Sequence, residues 1–121
     1  MTKFAWHVHH TVLMEPLTDT LRRRAVYIEA IKPPWQIKLR LRLMRKVRGK
    51  LPPEVIEAGR AYVKAWNSKE PLKPQLYEAA RVANNKAVAA HMPYIETLHR
   101  LECPSCPWNG HTIFPHGEAD E

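Results

Sequence analysis

The chain has 121 residues, enough for one domain with a modest core and no need of disulfide staples. An apolar fraction of 45% argues against disorder, two cysteines are too few for a disulfide framework, and no stretch is long and apolar enough to cross a bilayer. The net charge of +7 is concentrated: Arg22 to Lys50 holds eleven Lys or Arg and one acid, Glu29, whereas the remainder holds eight bases against eleven acids.

Four tryptophans and four tyrosines supply bulky core material, and eleven prolines against four glycines imply short, stiff connections. The opening residues MTKFAWHVHH carry one lysine and no uninterrupted apolar run, so no export signal is read there. With so few cysteines, the expected setting is soluble, reducing and cytoplasmic.

Residues 4–14 are predicted to form a strand. Phe4, Trp6, Val8, Val12 and Met14 alternate, with His10 at one position on the apolar side. Glu15-Pro16 ends it and begins a helix over 17–32, in which Leu17, Leu21, Ala25 and Ile28 recur at helical spacing. Pro33-Pro34 stops that helix.

The next stretch, WQIKLRLRLMRKV, carries two signals. Its strict alternation is a strand period, but its residues are strong helix formers, and none from Lys38 to Lys46 is β-branched. Read as a helix, it has two apolar stripes, Trp35/Leu39/Leu43 and Ile37/Leu41/Met44, and must lie between two layers. The helix is preferred.

RGKLPP is a connection. Pro52-Pro53 opens a helix to about Asn67, with Val55, Gly59, Tyr62 and Trp66 on one face. NSKEPLKP is a loop. Beyond it, Leu76, Ala80, Ala83, Ala87, Ala90, Tyr94, Leu98 and Leu101 keep a three-four spacing that predicts a long helix. Pro93 should kink or divide it near His91-Met92. The two helices flanking NSKEPLKP then form an antiparallel hairpin.

The C-terminal stretch ECPSCPWNGH holds both cysteines. Cys103 and Cys106 have the spacing that lets two thiolates meet one zinc ion, and Trp108-Asn109-Gly110 would turn the chain back. Two thiolates make half of a tetrahedral site. His111 follows Cys106, His116 is near, and His99 lies one helical turn before Cys103. His7 and His9 share one face of the predicted strand and could approach the thiolates if HTIF (111–114) pairs with it. The candidate ligands are therefore Cys103, Cys106, His111, His7 and His9. Plain reduced thiols are the alternative. A redox role is disfavoured, because the pair follows the negative end of a helix rather than preceding its positive end. There is no Gly-rich phosphate loop, nucleophile elbow or His-Glu-x-x-His signature. His-x-His on a strand would need a third ligand and a general base to act as a metal hydrolase.

Arg22, Arg23 and Arg24, then Lys38, Arg40, Arg42, Arg45, Lys46, Arg48 and Lys50, form a cationic segment suited to phosphate backbones or an acidic partner. In a helical 35–45, Lys38, Arg42 and Arg45 project from one face. No helix-turn-helix or RNP-type motif accompanies them, so contact with nucleic acid would be independent of sequence. A solvated face, neutralised by the acidic remainder, is the alternative.

HHTVLMEPL, LRLMRKVRGKLP, AGRAYVKAW and CPSCPWNGHTIFP together resemble a group of uncharacterised bacterial and phage hypothetical proteins. The resemblance implies alanine-rich helical repeats between the Gly-Lys-Leu-Pro stretch and the cysteine pair, and a phage or mobile-element setting, but no chemistry. NSKEPLKP departs from that pattern and favours a hairpin over one continuous rod.

The expected fold is mainly α: a helical hairpin or bundle with a short N-terminal β-strand and a C-terminal Cys-x-x-Cys turn. One domain is expected over 1–121, with a strand and basic helical part in 1–50, the hairpin in 51–102, and the turn and tail in 103–121. The expected function is a non-enzymatic binding or accessory protein that contacts nucleic acid or an acidic partner through its basic surface. The alternatives are a protein–protein interaction element with a zinc-stabilised turn, and a small metal- or thiol-dependent enzyme.

Overall fold

A computed structural model describes residues 2–114. The elements run β1 (Phe4–Trp6), β2 (Met14–Pro16), α1 (Leu21–Ile31), α2 (Pro34–Leu43), β3 (Arg45–Lys46), α3 (Pro53–Trp66), α4 (Lys73–Ala90) and α5 (Met92–Glu102). The protein is thus mainly helical, with a small sheet ordered β2-β1-β3, antiparallel throughout.

The strand expected over 4–14 is two strands. The chain turns back at His7, whose φ of 55° lies in the left-handed region. His7 N donates to the Leu13 carbonyl at 3.1 Å and Val12 N to the His9 carbonyl at 3.2 Å, closing the connection. The alternation misleads because β1 is central and buried on both faces. Phe4 and Trp6 join Leu13, Met14, Val55 and Ile95 in one cluster, while Ala5 faces Val8, Ile28 and Met44 in another.

Pro16 belongs to β2, and α1 begins later than expected, at Leu21. Thr20 sets that start: its hydroxyl accepts from Arg23 N at 3.1 Å, satisfying one of the helix's free N–H groups. Pro33-Pro34 ends α1 and begins α2. In α2 the preferred helix holds over Pro34–Leu43, while Arg45–Lys46 at the end of the stretch form β3, and each of the two stripes feeds a different cluster. Ile37, Leu41 and Met44 pack with Ile28. Leu39 and Leu43 pack with Cys103, Ile113 and Phe114, and the Trp35 ring meets Phe114 at 5.2 Å.

The helices α3 and α4 form the hairpin. Gly59 is where α3 approaches β1, because a Cβ there would lie 2.3 Å from Cζ of Phe4. Gly59→Ala is expected to lower Tm by about 6 °C, from an overpacking cost of about 1.5 kcal/mol, as read in a thermal melt. The long periodic helix is divided at His91, next to Pro93 as expected. Its inward face matches the expected stripe only in part: Ala87 and Leu98 pack on the core, but Ala83, Ala90 and Leu101 are exposed, and Asn84, Ile95 and His99 are buried. Polar residues, Asn84 and His99, occupy two of those inward positions, so a count of apolar residues alone is drawn partly off the inward face.

Candidate metal centre and basic surface

Helix α5 presents His99 and Cys103 one turn apart, and Cys103 N donates to the His99 carbonyl at 2.7 Å as the helix ends. The chain then folds tightly, with Cys106 N donating to the Cys103 carbonyl at 3.1 Å. Trp108-Asn109-Gly110 turns it back as expected. Asn109 Oδ1 accepts from His111 N at 2.9 Å and Thr112 N at 3.0 Å, and Gly110 takes a φ of 98°. The returning segment docks on the N-terminal connection: Ile113 N donates to the His10 carbonyl at 3.0 Å, and His10 Nδ1 lies 3.1 Å from Thr112 Oγ1. HTIF therefore meets residues 7–13, though through these contacts rather than a strand ladder.

This docking brings four candidate ligands together, two imidazoles and two thiols. His7 Nε2 lies 3.0 Å from His99 Nε2 and 3.2 Å from Cys106 Sγ. The ligand atoms of His7, His99, Cys103 and Cys106 all lie within 4.8 Å of one another. Metal–ligand bonds of the usual length would set tetrahedral edges of roughly 3.3 to 3.8 Å, so modest side-chain adjustment closes the shell. His7, His99 and Cys103 are buried and Cys106 is half-buried, beneath the rings of Trp6 and Trp108.

The protonation states suit coordination by imidazole. Burial, with His99 alongside, lowers the His7 pKa to about 4 against a weaker opposing effect of the Val12 main chain. Burial and then Arg100 lower that of His99. Both rings are accordingly neutral near pH 7, the state in which imidazole binds a metal ion. His7 Nδ1 is buried with no hydrogen bond of good geometry among the described residues. Burial pushes the Cys106 thiol up to about 12, reinforced by Cys103 and opposed by the Trp108 main chain. A thiol so reluctant to ionise is a poor redox nucleophile, and a bound cation would be needed to displace its proton.

Of the expected ligands, His7, Cys103 and Cys106 are brought together, and His99, noted for its spacing from Cys103, joins them. His9 does not: it is 53% exposed, with Nδ1 2.7 Å from Glu15 Oε1. His111 is exposed and also outside the group. His116 lies outside the described residues. The left-handed turn at His7 separates it from His9, so the two no longer share a strand face.

The segment after α2 is tied to this centre twice. Lys46 pairs with Ala5 and Arg45 with Trp6, directly before His7. Glu102, directly before Cys103, accepts from Trp6 Nε1 at 3.0 Å, Arg48 N at 2.9 Å and Gly49 N at 2.6 Å. Burial opposes ionisation of Glu102, yet these donors outweigh it and hold its carboxyl below the usual range.

Arg22, Arg23, Lys38, Arg42, Arg45, Lys46, Arg48 and Lys50 are exposed. Arg24 is half-buried, with Nε donating to the Val8 carbonyl at 3.2 Å and its guanidinium 4.9 Å from the Tyr27 ring. Two assignments are corrected. Arg40 is 2% exposed; its Nε donates to Gln36 Oε1 at 2.8 Å and its guanidinium lies 5.6 Å from the Phe114 ring, so it is core rather than surface. Arg45 lies in β3, past the end of α2, and does not share a helix face with Lys38 and Arg42. The structure adds Lys3 and Arg60, which line a groove of about 820 Å³ with Arg22 and Lys46. An adjoining groove of about 410 Å³ shares Lys3, Lys46 and Arg60 and adds Lys50. Among the described residues, Asp19 is the single acid lining either.

Among the described residues, no helix is long and apolar enough to cross a membrane. No family model matches the chain, and no similar curated protein or solved structure is found.

Proposed function

We propose that the chain is a small non-enzymatic binding module in which a structural zinc ion, held by His7, His99, Cys103 and Cys106, braces a basic face for nucleic acid. The convergence of those four ligand atoms within 4.8 Å carries the reading. Two thiolates and two imidazoles form a ligand set suited to zinc, and four protein ligands leave no open position for a reacting water. That favours a structural ion over a catalytic one.

The brace bears on the basic face through β1. Arg45 and Lys46 hang on the strand that leads into His7, and the main chain of Arg48 and Gly49 is held by the residue before Cys103. Their placement supports a phosphate-binding face, since pre-positioned cations gain from counterion release without first being ordered.

Elemental analysis of the purified protein should find about one zinc per chain. Affinity for generic nucleic acid should fall about a thousandfold between 50 and 200 mM salt if roughly six phosphates are neutralised. A flat salt profile would discard the nucleic-acid reading in favour of an acidic protein partner or a merely solvated face.

A further inference from the structure

The basic groove does not end in open surface. Residues 17–20 form one of its walls and also a wall of a third groove, of about 520 Å³, on their other side. That third groove has a different lining: Tyr27, Tyr62, Trp66 and Tyr77, with Arg23 and Arg24. Three of its aromatic rings form a cluster at the looped end of the helical hairpin, beside the connection of α3 to α4. Tyr62 and Tyr77 have centroids 5.3 Å apart, Trp66 and Tyr77 5.5 Å apart. The Tyr62 and Tyr77 hydroxyls lie 3.0 Å apart, tying α3 to α4. Trp66 remains 44% exposed and Tyr27 45%, and the Lys73 ammonium stands 5.5 Å from the Trp66 ring.

The charges differ as well. Five cations, Lys3, Arg22, Lys46, Lys50 and Arg60, line the basic pair of grooves. In the aromatic groove Arg23 and Arg24 are offset by Glu15 and Asp19, with Glu15 bonded to His9 and Asp19 Oδ1 3.9 Å from Arg23 Nε. Phosphate is favoured on one side of residues 17–20, and an uncharged flat group on the other. A duplex presents phosphates but hides its base faces; a single strand presents both.

We propose that the grooves form one track for single-stranded nucleic acid, with phosphates along Lys50, Lys46, Lys3, Arg60 and Arg22 and a base stacked on the Tyr62–Tyr77–Trp66 cluster. This deepens, and rests on, the nucleic-acid reading above. Stacking is tolerant of base identity, so the track reads strandedness rather than sequence.

The test uses the full zinc-loaded chain, titrated by fluorescence anisotropy against an oligothymidylate of about 20 nucleotides and a duplex of equal length. The single strand should bind at least about tenfold more tightly. Trp66→Ala should weaken single-strand binding about tenfold and leave duplex binding unchanged, while Trp66→Phe restores most of the loss. Lys46→Glu/Arg60→Glu should weaken both ligands and make the salt slope shallower by about 1.5 for the single strand, at about 0.7 per phosphate contact. Equal affinity for the two ligands, or a Trp66→Ala variant as selective as wild type, overturns the track and leaves a general phosphate-binding face. Failure of the wild type to bind either ligand overturns the track and the nucleic-acid reading together.

Discussion

Cys103→Ser combined with Cys106→Ser is expected to abolish zinc retention and to lower Tm by about 15 °C or more. The expectation follows from the proposed zinc site and from what its four residues join. His7 stands at the end of the central strand, His99 and Cys103 at the end of α5, and Cys106 in the turn that carries Ile113 and Phe114 back to the core. Zinc binding supplies folding free energy to any state in which these elements are assembled and little to the unfolded chain. Losing both thiolates forfeits that term and leaves two neutral imidazoles, each buried, facing hydroxyls. His99→Ala should lose the metal too, whereas His9→Ala and His111→Ala should retain it, because neither ring reaches the group. Metal analysis and melts of the five proteins check the pattern. A zinc-free wild type, or retention in the double serine variant, rules the site out.

The second large effect belongs to Glu102. Its carboxylate accepts from a fully buried indole and two main-chain N–H groups, joining the end of α5 to β1 and to the segment after β3. Glu102→Ala removes the acceptor of the Trp6 Nε1 donor, whose ring is buried, and of the Arg48 and Gly49 amides. The expected cost is about 3 kcal/mol, or about 12 °C in Tm. Glu102→Gln keeps an accepting oxygen without the charge and should cost about a third as much. If alanine and glutamine behave alike in chemical denaturation, the three hydrogen bonds are not what holds the basic segment.

Much of the architecture was legible because prolines and periodicity speak locally. Pro33-Pro34, Pro52-Pro53 and Pro93 mark element boundaries by steric exclusion, whatever the tertiary context. The two stripes of α2 were legible as a demand for two layers, and two clusters meet that demand. The single strand over 4–14 was misread because a central strand covered on both faces has no reason to alternate, and nothing in the local pattern marks His7 as a left-handed residue. The candidate site was half legible. Cys103-x-x-Cys106 and its spacing from His99 are short-range facts, but the choice of His7 over His9 depends on a turn that only the packed structure fixes. Arg40 was misplaced for a related reason: charge predicts exposure, and its burial rests on Gln36 and on Phe114, distant in sequence.

The strand at residues 4–6 has a temporal consequence. Its covering partners arrive late: Trp6 waits for Glu102, 96 positions on, and His7 for Cys106, 99 positions on. A growing polypeptide can wind its local hairpin early, since α3 and α4 are neighbours along the chain, but it cannot seal residues 4–10 until residues 99–114 have left the ribosome. Phe4 can pack on α3 before then, but Trp6 stays open to other chains, so the nascent protein is most prone to aggregation just before its C-terminal turn emerges.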